Sequence, residues 1–115
     1  MIRPIKILAI ETSCDETAMA ILEAEGGLEE PRFKVLKNIV SSQVETHRPW
    51  GGVVPNLAKR EHLKNLPLVF ESTVGPNPES LNPNVVAVTV GPGLEPCLWT
   101  GVEYAKEVKK KYFPK

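Results

Sequence analysis

The sequence predicts one α/β domain, and three observations support this prediction. Three β-rich segments come first and are joined by short connections, a run with helical periodicity follows, and a β-branched strand with a second helix comes last. The predicted order is therefore β-β-β-α-β-α. A chain of 115 residues has room for a single domain. Its apolar fraction of 42% and charged fraction of 24% are typical of globular proteins and argue against extensive disorder.

The first three predicted elements are strands. Ile5–Glu11 is short and apolar beyond Lys6, which is typical of a buried strand. After a polar turn, residues 18–22 (Ala-Met-Ala-Ile-Leu) continue as a second strand, and residues 33–42 follow a Gly-Gly turn as a third. Because the connections are short, we expect an antiparallel meander.

The second half of the chain alternates helix and strand. Apolar residues recur at helical spacing after Pro55, a residue that suits a first helical turn, and Pro67 within this run predicts a kink or a split. Residues 75–83 hold three prolines and predict a loop. Residues 85–90 form the clearest predicted strand, and a helix is expected over residues 95–112.

This order is most of a ribonuclease-H-like unit, in which parallel strands and crossover helices extend a three-stranded meander. The usual unit continues with another strand and another helix. We therefore expect residues 1–115 to form such a lobe, incomplete at its C-terminus.

Charge and composition exclude several classes of protein. Fourteen basic and fourteen acidic residues give a net charge of zero, so the chain lacks an overall electrostatic surface for nucleic acid, and any anion site must be local. No apolar run approaches the ~18–20 residues that cross a membrane. Charges interrupt residues 1–6, so no signal peptide is expected. Two cysteines fit a reduced, cytoplasmic compartment better than a disulfide scaffold.

The turn between the first two strands is the first candidate site. It is unusually rich in functional side chains: Thr12, Ser13, Cys14, Asp15, Glu16 and Thr17. Amides and hydroxyls on such a corner can hold a phosphate, and adjacent carboxylates can orient a nucleophile or accept its proton. The alternative is an ordinary solvated hairpin turn, in which acidic residues are common.

A glycine-rich bend is the second candidate site. Gly91 and Gly93 flank Pro92 between a predicted strand and a predicted helix, an arrangement that can bind anions. The bend lacks the lysine and the spacing of a P-loop, and a plain strand-to-helix turn would explain it equally well.

Metal and thiol chemistry are not expected within this chain. His47 and His62 lie fifteen residues apart without other ligands at metal-site spacing, and we interpret them as a loop residue and a helix-face residue. Trp50 precedes two glycines, and we expect its ring to fill a cavity. Cys14 and Cys97 are interpreted as small packing residues rather than nucleophiles.

Four ordered blocks resemble one family. Residues 10–17 (Ile-Glu-Thr-Ser-Cys-Asp-Glu-Thr) resemble the N-terminal signature of the tRNA threonylcarbamoyladenosine synthase catalytic subunit, the TsaD/Gcp family. The later blocks are Ser42-Gln43 with His47, residues 50–55 (Trp-Gly-Gly-Val-Val-Pro) with Leu57-Ala58 and His62, and residues 87–94 around the bend. The family usually has Tyr at position 50. At positions 95–101 it has a small, apolar Val-Gly-Ala-Leu-Leu-Val-Gly run, where this chain has Glu-Pro-Cys-Leu-Trp-Thr-Gly.

The resemblance implies an actin-like ATPase (ASKHA) fold with two ribonuclease-H-like lobes around a cleft. It implies transfer of a threonylcarbamoyl group from threonylcarbamoyl-adenylate to the exocyclic amine of the adenosine beside a tRNA anticodon. Asp15 and Glu16 match the catalytic acidic pair of the family. Substrate-binding roles are implied for Thr12, Ser13, Cys14, Gly91 and Gly93.

The resemblance also implies partners and a metal. The partners are tRNA, the adenylate, a paralogous actin-like subunit and a P-loop ATPase subunit, all in the cytoplasm and none in a membrane. Iron or zinc is expected for the whole enzyme, but the His-x-x-x-His motif of the family lies beyond Lys115, so this chain alone is expected to hold no metal and to be inactive. A non-catalytic scaffold or dimerisation subunit of the same fold is the alternative function.

Overall fold

Residues 4–115 are described by a computed structural model, and they form an α/β domain, as the sequence predicts. The strands are β1 (Ile5–Glu11), β2 (Glu16–Glu25), β3 (Arg32–Ser42) and β4 (Val85–Val88). The α-helices are α1 (Val44–His47), α2 (Pro55–Val74) and α3 (Glu95–Tyr112), and short 3-10 turns occupy Arg48–Trp50 and Pro78–Leu81.

The strands form one mixed sheet in the order β3-β2-β1-β4. The first three strands are antiparallel neighbours, and they make the predicted meander. Strand β4 pairs with β1 in parallel, with Ile10 opposite Val88. Because parallel strands end at the same side of a sheet, the segments that follow β1 and β4 emerge next to each other.

The hydrophobic core lies between one face of the sheet and the two long helices. Alternate residues of a strand point to the same face, which places Leu8 and Ile10 of β1 beside Met19 and Ile21 of β2. The helices contribute further buried side chains: Leu66, Val69 and Phe70 from α2, and Ala105 and Val108 from α3. These apolar contacts fix both helices against the strands that carry the candidate site.

Two features of the chain differ from the prediction. Helix α2 continues through Pro67 and is not split there. Pro67 is exposed, whereas Leu66, Val69 and Phe70 on either side are buried, so packing holds the helix together despite the lost hydrogen bond. Helix α1 was not predicted, because four residues carry too little periodicity to be recognised. Within residues 4–115, none of the helices combines the length and apolarity that a membrane span requires.

Gly101 allows a close approach between α3 and the end of β1. A Cβ atom at this position would collide with the hydroxyl oxygen of Thr12, which is fully buried. In most helices Gly→Ala stabilises the fold by about 1 kcal/mol. Here we expect Gly101→Ala to lower the free energy of unfolding by about 1–3 kcal/mol, because it overpacks the interface. Urea unfolding measures this change.

The same contact supplies a control. In a Thr12→Ala background the hydroxyl is absent, so the additional effect of Gly101→Ala on the free energy of unfolding should shrink or reverse. A stabilising effect of Gly101→Ala in the native sequence would contradict the close approach.

Candidate functional site

The two predicted sites meet at one end of the sheet. The turn after β1 and the bend after β4 lie side by side because β1 and β4 run in parallel. The backbone N–H of Leu94 donates a hydrogen bond of 2.8 Å to the carbonyl oxygen of Ser13. Two segments about eighty positions apart in the sequence thus form a single corner.

Gly93 makes this contact possible. A Cβ atom at position 93 would lie 2.7 Å from the carbonyl oxygen of Ser13 and 2.8 Å from its Cβ atom, distances that real side chains do not adopt. Glycine is therefore required for the bend to touch the turn. Gly91 is exposed at the same bend, and its peptide bond to Pro92 is cis.

Thr12 and Ser13 use their donors within the protein. Thr12 is fully buried, and its hydroxyl donates a 2.7 Å hydrogen bond to the carbonyl oxygen of Cys97 at the start of α3. The carboxylate of Glu11 accepts both the backbone N–H of Ser13, at 2.7 Å, and its hydroxyl, at 3.0 Å. These bonds stiffen the turn, and they leave the Thr12 side chain out of reach of a ligand. No role for Glu11 was predicted from the sequence.

Asp15 and Glu16 occupy different environments. Asp15 is half-buried, and its backbone carbonyl accepts a 2.8 Å hydrogen bond from the N–H of Gln43. It lines an open hollow of about 350 Å³ with the segment between β3 and α2, namely Val44, His47, Arg48, Gly51, Gly52 and Val53. Glu16 is exposed at the first position of β2. Asp15 therefore faces the segment between β3 and α2, and Glu16 is open to solvent at the start of β2.

His62 of helix α2 holds this turn through two hydrogen bonds. The imidazole is fully buried; its Nε2 lies 2.9 Å from the carbonyl oxygen of Cys14, and its Nδ1 lies 2.7 Å from the hydroxyl of Thr17. A carbonyl oxygen only accepts, so Nε2 carries the hydrogen and Nδ1 accepts from Thr17. Burial lowers the pKa of His62 and outweighs the opposing effects of the Cys14 carbonyl and of the Glu11 and Asp15 charges.

His47 belongs to a second buried group of hydrogen bonds. Its Nδ1 lies 3.1 Å from the backbone N–H of Val54, which donates to it, so Nε2 carries the hydrogen and donates to the Gln43 side-chain oxygen at 2.7 Å. The amide nitrogen of Gln43 in turn donates to the carbonyl oxygen of Ala58 in α2, at 3.3 Å. The interpretation of His47 as a loop residue was wrong, because it ends helix α1 and is buried. Only the folded chain brings these partners together.

Trp50 does not fill a cavity, and that expectation was also wrong. The side chain is 69% exposed on the 3-10 turn that precedes Gly51. The 3-10 turn that carries it spans only the three residues Arg48–Trp50 and ends at Gly51. The large aromatic surface therefore faces solvent.

A metal ion does not fit the residues of this site. In the part of the chain that the structure describes, no three His, Cys, Asp or Glu side chains converge as ligands. Both nitrogens of His47 and of His62 are engaged in hydrogen bonds, so neither imidazole has a lone pair for an iron or zinc ion.

The two thiols are poorly suited to nucleophilic chemistry. Burial raises the pKa of the Cys14 thiol, and the charges of Asp15 and Glu11 raise it further. Burial also raises the pKa of Cys97, which is completely enclosed. Because the thiolate is the reactive form, both cysteines act as packing residues near neutral pH.

Comparison with known proteins points to one family. A family model described as TsaD, tRNA N6-adenosine threonylcarbamoyltransferase, matches residues 34–112. A relative of that name from Thermosipho melanesiensis is 46% identical over 106 residues, and one from Anaeromyxobacter dehalogenans is 48% identical over 104 residues. The matches cover 91% and 88% of this chain, but only 30% and 28% of the two relatives. The chain thus spans about 30% of the length of the curated relatives it matches.

The lowered pKa of His62 predicts a pH dependence of stability. Below an ordinary histidine pKa of 6.5, the unfolded chain takes up a proton that the folded chain does not. The free energy of unfolding should therefore fall as pH drops from about 6.5 towards the folded pKa, by at most about 1.4 kcal/mol per pH unit. Urea unfolding between about pH 5.5 and 7.5, above the range of ordinary carboxylates, measures the slope.

The matched variant is His62→Gln, which cannot titrate in this range but retains a donor and an acceptor. His47 is present in both proteins, so its contribution cancels in the difference between the two slopes. Equal slopes for the two proteins would refute the lowered pKa.

Proposed function

Because the chain belongs to the TsaD family of tRNA N6-adenosine threonylcarbamoyltransferases, we propose that residues 1–115 form the N-terminal lobe of such an enzyme. The proposed lobe is ribonuclease-H-like, within an actin-like ATPase fold. The mixed sheet, in which a meander is extended by a parallel strand and covered by two helices, supports this assignment. In this proposal, further strand and helix elements complete the lobe.

The proposed reaction transfers a threonylcarbamoyl group from threonylcarbamoyl-adenylate to the exocyclic amine of the adenosine beside the anticodon of a tRNA. The amine nitrogen attacks the carbonyl carbon and forms a C–N bond. The bond from that carbon to the phosphate oxygen breaks, AMP leaves, and the amine loses a proton to a base. The enzyme must therefore bind a phosphate and deprotonate an amine within one corner.

A single observation carries this proposal, namely the hydrogen bond from Leu94 to Ser13 at the carboxyl ends of β1 and β4. Ligands of open α/β sheets bind at the carboxyl ends of parallel strands, where loops from neighbouring strands meet. Here that position joins the glycine bend to the turn that carries Asp15 and Glu16.

The two halves of the corner take different parts of the reaction. We assign the adenylate to the side formed by Gly91, Gly93, Ser13 and Cys14. Thr12 and Ser13 shape this side through their hydrogen bonds to Cys97 and Glu11. Carboxylates repel a phosphate, so Asp15 and Glu16 act on the amine, which they orient and deprotonate. Glu16 is the proposed base because its exposed position at the rim is open to a large substrate such as tRNA.

The remaining expectations extend the proposal to the whole enzyme. Iron or zinc is the proposed metal of the whole enzyme, and residues other than those of this corner hold it, since both imidazoles here are engaged in hydrogen bonds. A paralogous actin-like subunit and a P-loop ATPase subunit are the proposed partners. The cytoplasm, where tRNA is modified, is the proposed location.

Removal of the proposed base tests the function. In a chimera, this chain replaces the matching segment of the Thermosipho melanesiensis relative, and the protein is assayed with its partner subunits. We expect Glu16→Ala to lower turnover by about 10²–10⁴-fold, the usual contribution of a general base. Its free energy of unfolding should change by less than about 0.5 kcal/mol, because the residue is exposed. Mass spectrometry of nucleosides from digested tRNA measures the modification.

The control is Glu71→Ala, which removes an exposed carboxylate from α2, nine residues beyond His62. It should modify tRNA at the rate of the unaltered chimera. Wild-type turnover by Glu16→Ala would show that the carboxylate is only a turn residue. An unaltered chimera without activity would favour the alternative of a non-catalytic scaffold.

A further inference from the structure

One buried side chain contacts both residues that flank the acidic pair. The imidazole of His62 donates to the carbonyl oxygen of Cys14, immediately before Asp15, and accepts from the hydroxyl of Thr17, immediately after Glu16. His62, a residue of helix α2, thus bridges the Asp15–Glu16 dipeptide.

The bridge is anchored at both ends. Val69 and Phe70 of the same helix are buried in the core, so helix α2, which carries the imidazole, is fixed against the sheet. On the turn, the backbone N–H of Gln43 holds the carbonyl oxygen of Asp15 at 2.8 Å. Cys14, Asp15 and Thr17 are therefore each held by a hydrogen bond from outside the turn.

A packing role alone does not account for a histidine at this position. An apolar side chain of similar volume would fill the space between α2 and the turn without the loss of imidazole hydration. It would also leave the Cys14 carbonyl and the buried Thr17 hydroxyl without their partner. The hydrogen bonds of the imidazole ring therefore fix the backbone on both sides of Asp15 and Glu16.

We propose that His62 is a positioning residue for the transfer reaction, which fixes the Asp15–Glu16 dipeptide by bridging Cys14 and Thr17. The proposal rests on the proposed function, because it assumes that the dipeptide acts on the amine. A base must lie within hydrogen-bonding distance of the proton it removes, and a displacement of about 1 Å can lower turnover about 10²-fold. Loss of the bridge therefore affects kcat, while tRNA binding elsewhere on the enzyme is unaffected.

The test compares variants of the chimera with matched controls. We expect His62→Leu to lower kcat by about 10²-fold with KM for tRNA within about twofold. His62→Gln retains a donor and an acceptor, so its kcat should recover to within about tenfold of the unaltered chimera. Thr17→Val, which removes only the partner of Nδ1, should also lower kcat.

Two controls separate positioning from stability. Leu66→Ala destabilises the same helix through a buried residue that has no hydrogen bond to the turn. Thr73→Val removes a buried hydroxyl of α2 that bonds only to the carbonyl oxygen of Val69 in its own helix. Both should keep kcat within about twofold when rates are compared per folded molecule.

A second measurement does not depend on activity. In the 115-residue chain, hydrogen exchange of the backbone amides at positions 15–17 should accelerate at least about tenfold in His62→Leu, but not in Thr73→Val, relative to amides of α3. If His62→Leu does not fold, the comparison of Thr17→Val with Thr73→Val decides the question. In that case, positioning predicts the larger loss of kcat for Thr17→Val, because only Thr17 bonds to His62.

The outcomes distinguish the two proposals. An inactive unaltered chimera would refute the proposed function, while the exchange data would still report on the bridge. Normal kcat in His62→Leu, or equal losses of kcat in Thr17→Val and Thr73→Val, would overturn the positioning role. Unchanged exchange at positions 15–17 in His62→Leu would also overturn it.

Discussion

The parallel pairing of β1 with β4 is the constraint on which the candidate site depends. It brings the ends of two strands to the same side of the sheet, although the strands lie far apart in the sequence. The turn and the glycine bend then meet through the Leu94–Ser13 hydrogen bond, and Gly93 leaves the space that this contact needs. Without the pairing, the polar turn would be an ordinary hairpin connection and the bend an ordinary helix start.

Buried polar side chains connect this corner to the core through hydrogen bonds. Thr12, Thr17, Gln43, His47 and His62 are all buried, and across residues 4–115 every buried side-chain nitrogen or oxygen has a hydrogen-bond partner. A buried polar group that loses its partner costs about 1–3 kcal/mol, so displacing one member penalises the others. Apolar packing holds α2 and α3 against the sheet, and this hydrogen-bonding group determines how the turn is seated on them.

Local pattern predicted the elements, but not the contacts between them. The bounds of β1 and α3 could be read from the sequence because one is a short apolar run and the other follows a glycine bend. The polar turn could also be recognised from the sequence, because it holds more functional side chains than a hairpin turn requires. The roles of His62 and Gln43 could not be predicted, because each has partners that lie between 15 and 48 positions away and are brought near by the topology. The split that was one alternative at Pro67 does not occur for a related reason, because burial of the neighbouring residues outweighs the lost hydrogen bond.

At positions 95–101 this chain differs from the family run. These residues fall into two groups according to the side of helix α3 that they occupy. Glu95 and Trp99, the charged and bulky changes, line an open groove between α2 and α3. The inward positions are occupied by Cys97 and Gly101, both small, and both contact Thr12 at the end of β1. Close approach of α3 to the turn therefore requires small residues only on the inner side of the helix. On the outer side, the charge of Glu95 and the indole of Trp99 are accommodated in the groove, away from the contacts that join α3 to the end of β1.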